Sequence, residues 1–173
     1  MKQSSVAVAT SPVWALKELL AQLASLVGDV PPDVYGDRFA APHSGSIGEH
    51  VRHCLDHVAA LLTADGSDTL SYDRRQRGTM VELDPAAAVG RLRELQDAIE
   101  IWSARSLDEP VRVTCLLSPD GDAVAGWSTL ARELAFVVSH TIHHQAMIGL
   151  LLASRGYAVP TRFGHAPSTP SRH

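Results

Sequence analysis

Two short segments of this sequence concentrate imidazole. The first reads Glu49-His50-Val51-Arg52-His53-Cys54-Leu55-Asp56-His57 and the second His140-Thr141-Ile142-His143-His144. Together they hold six of the nine histidines, in a chain with only 5% Phe, Trp and Tyr. On a helix turning ~100° per residue, His50, His53 and His57 fall within a sector of roughly 60°. His140 and His144, four apart, project one turn apart on one face, the spacing by which a helix offers two imidazoles to one metal. An unpaired polar group in an apolar interior costs on the order of 2–7 kcal/mol. One divalent ion bound by neutral imidazoles satisfies three such groups at once. The economical set is the pair His140 and His144 plus one residue of the His50, His53, His57 row, with the others supporting it or facing solvent. Three histidines leave a position open, as catalytic metals do. Zinc, nickel or iron there lowers the pKa of a bound water or thiol.

Other residues are weaker candidates. Glu133, two turns before His140, and Asp56 are each placed to orient a ligand imidazole, or else are ordinary exposed or capped acids. The cluster Tyr72-Asp73-Arg74-Arg75-Gln76-Arg77 offers guanidinium groups that pair bidentately with carboxylate or phosphate. Arg74 and Arg75 are therefore candidates to hold an acidic cofactor group, against the plainer reading of a solvated charged loop. Cys54 is turned ~100° from His53 and reads as a small core residue, as does Cys115. His165 is either an exposed loop histidine or a fourth ligand folding back.

The elements that must position these groups are legible. Ser11-Pro12 is a cap-plus-proline start, and Val13, Leu16, Leu20, Leu23 and Val27 form one apolar stripe ending at Gly28. Prolines and missing periodicity make the stretch to Gly45 a crossover loop. A second helix runs from Ser46, its cap, through Ile47 to about Leu62. The polar stretch from Ala64 to Leu83, with the turn signal Asp65-Gly66, reads as a long functional or mobile loop. Asp84-Pro85 starts a third helix, to about Ala104, with Val89, Leu92, Leu95, Ile99 and Trp102 inward. Val111 to Cys115 and Ala123 to Trp127 form a hairpin around Ser118-Pro119-Asp120-Gly121. Ser128 caps the longest helix, Thr129 to about Ser154, roughly 39 Å in length. The expectation is an all-α four-helix bundle with long crossover loops and a small β-hairpin before the last helix. Residues 1–10 form a flexible leader, 11–156 the bundle, and 157–173 a proline-rich tail.

Composition narrows the function. At 173 residues, 18.6 kDa and 45% hydrophobic, the chain builds one domain with a real core. A net charge of −4, with three scattered tryptophans, argues against nucleic acid. Two cysteines are too few for a disulfide framework, so a cytoplasmic location is expected. No signal peptide is legible, and no uninterrupted apolar run reaches the roughly 20 residues of a membrane helix.

The segments Ser46-Ile47-Gly48-Glu49-His50-Val51-Arg52-His53 and His140-Thr141-Ile142-His143-His144 resemble the DinB/YfiT-like metalloprotein family. The resemblance spans the helix order from about Ser11 to Gly156. It implies a divalent metal held by one histidine of the second helix and by the first and last histidines of the late H-x-x-H-H segment. Residue by residue these are His53, His140 and His144, with His50 and His57 as alternates or supporting groups. Members of that family include S-transferases and an isomerase that use low-molecular-weight thiols. The resemblance thus implies attack of an activated thiol on an electrophilic small molecule. It also implies a homodimer, for which Trp14, Leu19 and Ile101 supply apolar residues outside the main stripes. A metal-dependent hydrolase, or a non-catalytic, stress-related metal-binding bundle, is the alternative.

Overall fold

Hydroxyl, acid and proline residues set the helix starts. The computed structural model describes residues 11–39, 45–64, 69–74 and 76–169. The expected leader over 1–10, the Asp65-Gly66 turn, Arg75 and the end of the tail, 170–173, lie outside the described residues. The elements run α1 (Pro12–Gly28), α2 (Pro32–Tyr35), α3 (Ile47–Leu62), β1 (Leu70–Ser71), α4 (Met80–Leu83), α5 (Pro85–Glu100), a 3-10 turn (Ile101–Ala104), β2 (Pro110–Leu116), β3 (Ala123–Thr129) and α6 (Leu130–Ser154). The described chain is mostly helical, with a small sheet of three strands.

The start of α3 is the best determined. Ser46 Oγ accepts from the Glu49 backbone N–H at 3.1 Å, and the Glu49 carboxylate accepts from the Ser46 N–H at 2.9 Å. This reciprocal box satisfies two amides that a helix start otherwise leaves open. Arg38 pairs with the same carboxylate. On α5, Asp84 caps through the Ala86 N–H at 2.9 Å. Helix α6 starts one residue later than expected: Thr129, not Ser128, accepts from Arg132 N. Ser128 is drawn away because its hydroxyl donates to Glu133 at 2.7 Å. The third long helix tightens into the 3-10 turn at Ile101, which carries Trp102 into the core.

Helix α1 packs on α5 and α6, and α3 packs on the same two. Their stripes meet in one core that includes Leu16, Leu20, Val51, Val58, Leu92, Ile99, Leu134 and Val137, all fully buried. Each such aliphatic side chain contributes about 1.5–3 kcal/mol by leaving water. Buried polar groups on α6 are held locally: Thr141 donates to Val137 O at 2.8 Å and Gln145 to Leu19 O at 2.9 Å. By length and composition alone, α6 could cross a membrane. Its buried face against α1 and α3 gives it the place of a core helix.

The stretch expected to be loop from Ala64 to Leu83 holds two short elements. Strand β1 pairs in parallel with β2, Leu70 opposite Val113, while β2 and β3 form the expected antiparallel hairpin. Helix α4 lies directly on α3: a Cβ added to Gly48 would sit 2.0 Å from the Glu82 carbonyl oxygen. Arg52 of α3 ties the two together through Glu82 at 2.5 Å. Beyond α6 the tail folds back. Phe163 is buried, and Gly164, at φ +71°, lies against the backbone of Ala146.

Candidate metal centre

Helices α3 and α6 bring five imidazoles to one place. His53 Nε2 and His140 Nε2 are 3.0 Å apart, and His50 Nδ1 and His144 Nδ1 are also 3.0 Å apart. His57 packs on His140 with ring centroids 4.1 Å apart and stands edge-on to His53 at 4.4 Å. His144 stands edge-on to His53 at 4.6 Å and to His140 at 4.5 Å. His53, His57 and His140 each offer a ligand atom, and these atoms lie within 4.8 Å of one another. Three histidines are thus positioned to hold a metal ion. His143, next to His144 in sequence, is exposed on α6.

The donor chemistry fits a divalent ion. His57 and His144 are buried, and His50, His53 and His140 half-buried. Burial first, and then the neighbouring imidazoles of His140, His50, His143 and His57, push His144 down to about 3. It is therefore neutral near pH 7, with a lone pair to offer. His57 Nδ1 lies 2.9 Å from the His53 carbonyl oxygen one turn earlier. A proton on that nitrogen fixes the tautomer and leaves Nε2 as the ligand atom.

The hydrogen bonds of the two candidate acids to described residues run to arginine and hydroxyl groups. Asp56 accepts from Arg52 at 2.6 Å. Glu133, only 3% exposed, accepts from the hydroxyls of Tyr72 at 2.9 Å and Ser128 at 2.7 Å, and pairs with Arg132 at 3.4 Å. It reaches the histidines through Tyr72, whose ring stacks on His57 with centroids 5.1 Å apart and planes within 9°. Phe136, one turn before His140, stacks on that ring at 5.6 Å and touches Tyr72 at 5.1 Å. Tyr72 is raised well above its usual range, first by burial and then by Glu133, so its hydroxyl stays protonated and donates. Sequence reading missed this tyrosine. Its only signal is an aromatic residue two positions after Leu70 in an otherwise polar stretch.

Arg74 is exposed and lines a cavity of about 480 Å³ with Arg52, Asp56 and Arg91; among the described residues no histidine lines it. Arg75, its expected companion, lies outside the described residues. Cys54 is fully buried in the core, and burial pushes its thiol up to about 12, as a packing residue requires. Cys115 is half-buried on β2. His165 is exposed, with its Nδ1 3.3 Å from the Phe163 carbonyl.

A helical fold whose long helices α3 and α6 face a shared cluster of imidazoles defines a class of histidine-clustered helical proteins. Residues 15–148 match the model of the DinB superfamily, and the chain belongs to that superfamily. It is also similar to FK506-binding protein 5 of Rhizopus delemar, 38% identical over 101 residues. That stretch is 58% of this chain and 26% of the relative, so the chain spans about a quarter of the relative's length.

Proposed function

We propose that this protein is a metal-dependent DinB/YfiT-type four-helix bundle that carries out thiol-dependent S-transfer, or a related reaction, on an electrophilic small molecule. The observation that carries the reading is the convergence of His53, His57 and His140 from two helices. His53 and His140 belong both to the set the family resemblance implies and to the set of mutually close ligand atoms, His53 taking the place for which His50 and His57 are the alternates. The third ligand is His144 by the family resemblance and His57 by the mutual distances of the ligand atoms.

When bound, zinc, nickel or iron supplies Lewis acidity that favours the deprotonated form of a thiol or water. The chain's own groups do the rest. The imidazoles hold the site, with His144 kept neutral by burial and its neighbours. Tyr72, anchored by Glu133, fixes the plane of His57 and shields it from solvent. Arg74 offers a cation for an acidic cofactor, although none of the described histidines lines its cavity.

The site between two packed helices also suits a second reading, in which the ion only cross-links α3 and α6 and nothing turns over. Metal content of the purified protein, followed by conjugation of a panel of low-molecular-weight thiols to an aromatic chloride, separates the readings. The enzyme reading expects roughly one metal per chain and a thiol-dependent rate that disappears with chelation. Loaded protein no faster than the chelated control assigns the cross-link, and protein that takes up no metal overturns both. We place the protein in the cytoplasm with small-molecule partners, without nucleic acid or membrane, and as a homodimer. Trp14 and Ile101 support the dimer, being 57% and 71% exposed; light scattering showing a monomer at micromolar concentration removes that part.

A further inference from the structure

We propose that the cavity between α3, α4 and the β1 loop is a second binding site, for a small molecule bearing a carboxylate or phosphate group. On α3 its lining residues Arg52 and Asp56 are turned roughly 110° about the helix axis from the histidine row. With none of the described histidines in its lining, the site does not rest on the metal reading. Its volume of about 480 Å³ lies in the range of about 300–1,000 Å³ usual for small-ligand pockets.

The lining shows which charge is already neutralised and which is available. Arg52 is shared between Asp56 and Glu82, so its role is to fasten α3 to α4 and form the floor. Arg91 of α5 pairs with the exposed Glu94 at 2.9 Å, a contact that solvent weakens and a ligand can replace. Arg74, exposed on the stretch after β1, makes no ion pair among the described residues. Thr79 also lines the cavity, with its Oγ1 sealed from solvent. Two exposed cations, one without an ion pair among the described residues and one held only by an exposed acid, select an oxyanion, and the exposed Gln76 adds an amide to the lining.

The test is calorimetric titration with inorganic phosphate and, separately, with succinate, each at an ionic strength held constant with sodium chloride. Saturable binding of either probe is expected: phosphate alone assigns a phosphate-bearing ligand, succinate alone a carboxylate. Arg74 is exposed, so Arg74→Ala keeps the fold, as circular dichroism verifies. It should weaken binding roughly tenfold or more, the effect of one lost charge-assisted hydrogen bond. His140→Ala should leave binding unchanged. The proposal is overturned if neither probe binds beyond the chloride baseline, or if Arg74→Ala binds as the wild type does.

Discussion

Tyr72 lies flat on His57, 9° between planes and 5.1 Å between centroids, and hands its hydroxyl to Glu133 on α6 at 2.9 Å. One side chain from the β1 loop thus joins an imidazole of α3 to a buried carboxylate of α6. Stacking and hydrogen bonding are separable here by mutation. Tyr72→Phe keeps the stack and leaves Glu133 short of one donor, so it should lose about 1–3 kcal/mol of stability with metal uptake little changed. Tyr72→Leu removes the flat contact as well and should also weaken uptake. Urea unfolding and equilibrium dialysis with zinc measure the two effects.

The third ligand is identifiable by substitution. His53→Ala and His140→Ala should each abolish stoichiometric metal binding, because both belong to the family set and to the set of mutually close ligand atoms. Between His57→Ala and His144→Ala, the true ligand behaves like these two, and the other loses roughly ten- to a hundredfold in affinity, as supporting groups do. Mass-spectrometric metal content with far-ultraviolet circular dichroism distinguishes metal loss from unfolding.

The cap of α3 makes a pH prediction. Partial burial alone would raise the Glu49 carboxyl, but the Ser46 N–H and the Arg38 guanidinium outweigh it and hold it below 4.5. A carboxyl depressed in the folded state stabilises above its unfolded pKa, and that contribution fades as pH falls from about 4.5 through the folded value. Glu49→Gln should therefore be less stable at neutral pH, with a flatter acid limb below about pH 4.5. Ser46→Ala should lose about 1 kcal/mol at pH 7. Thermal melts between pH 3 and 7 show both.

Gly48 is where α3 and α4 touch. Gly48→Ala gains helix propensity of about 1 kcal/mol. That gain is overridden by a methyl placed 2.0 Å from the Glu82 carbonyl oxygen, a backbone atom that cannot swing aside. A net loss of roughly 1–3 kcal/mol is expected. Denaturant unfolding no weaker than wild type would show that α4 moves away freely.

Helix starts and histidine rows were legible because their determinants are local. Ser46 and Asp84 cap their own helices, and a 3.6-residue period aligns His50, His53 and His57 without help from elsewhere. The one-residue displacement at Ser128 shows the limit: two adjacent hydroxyls compete for one cap, and Glu133 decides between them. What sequence reading could not supply depends on contacts across the chain. Strand β1 is two residues long and exists only through β2. Tyr72 acquires its role from Glu133, 61 positions away. The grouping of His57 with His53 and His140 depends on side-chain direction as much as on position.

The approach of His53 to His140 spans 87 positions of the chain. Bringing those nitrogens together closes a ring of about half the protein, and the entropy of closure falls due before the contact gives anything back. The histidine centre therefore belongs to the late part of folding, after α3 and α6 have each formed on their own local signals. Whatever tightens it should slow the protein's coming apart far more than it hastens its assembly.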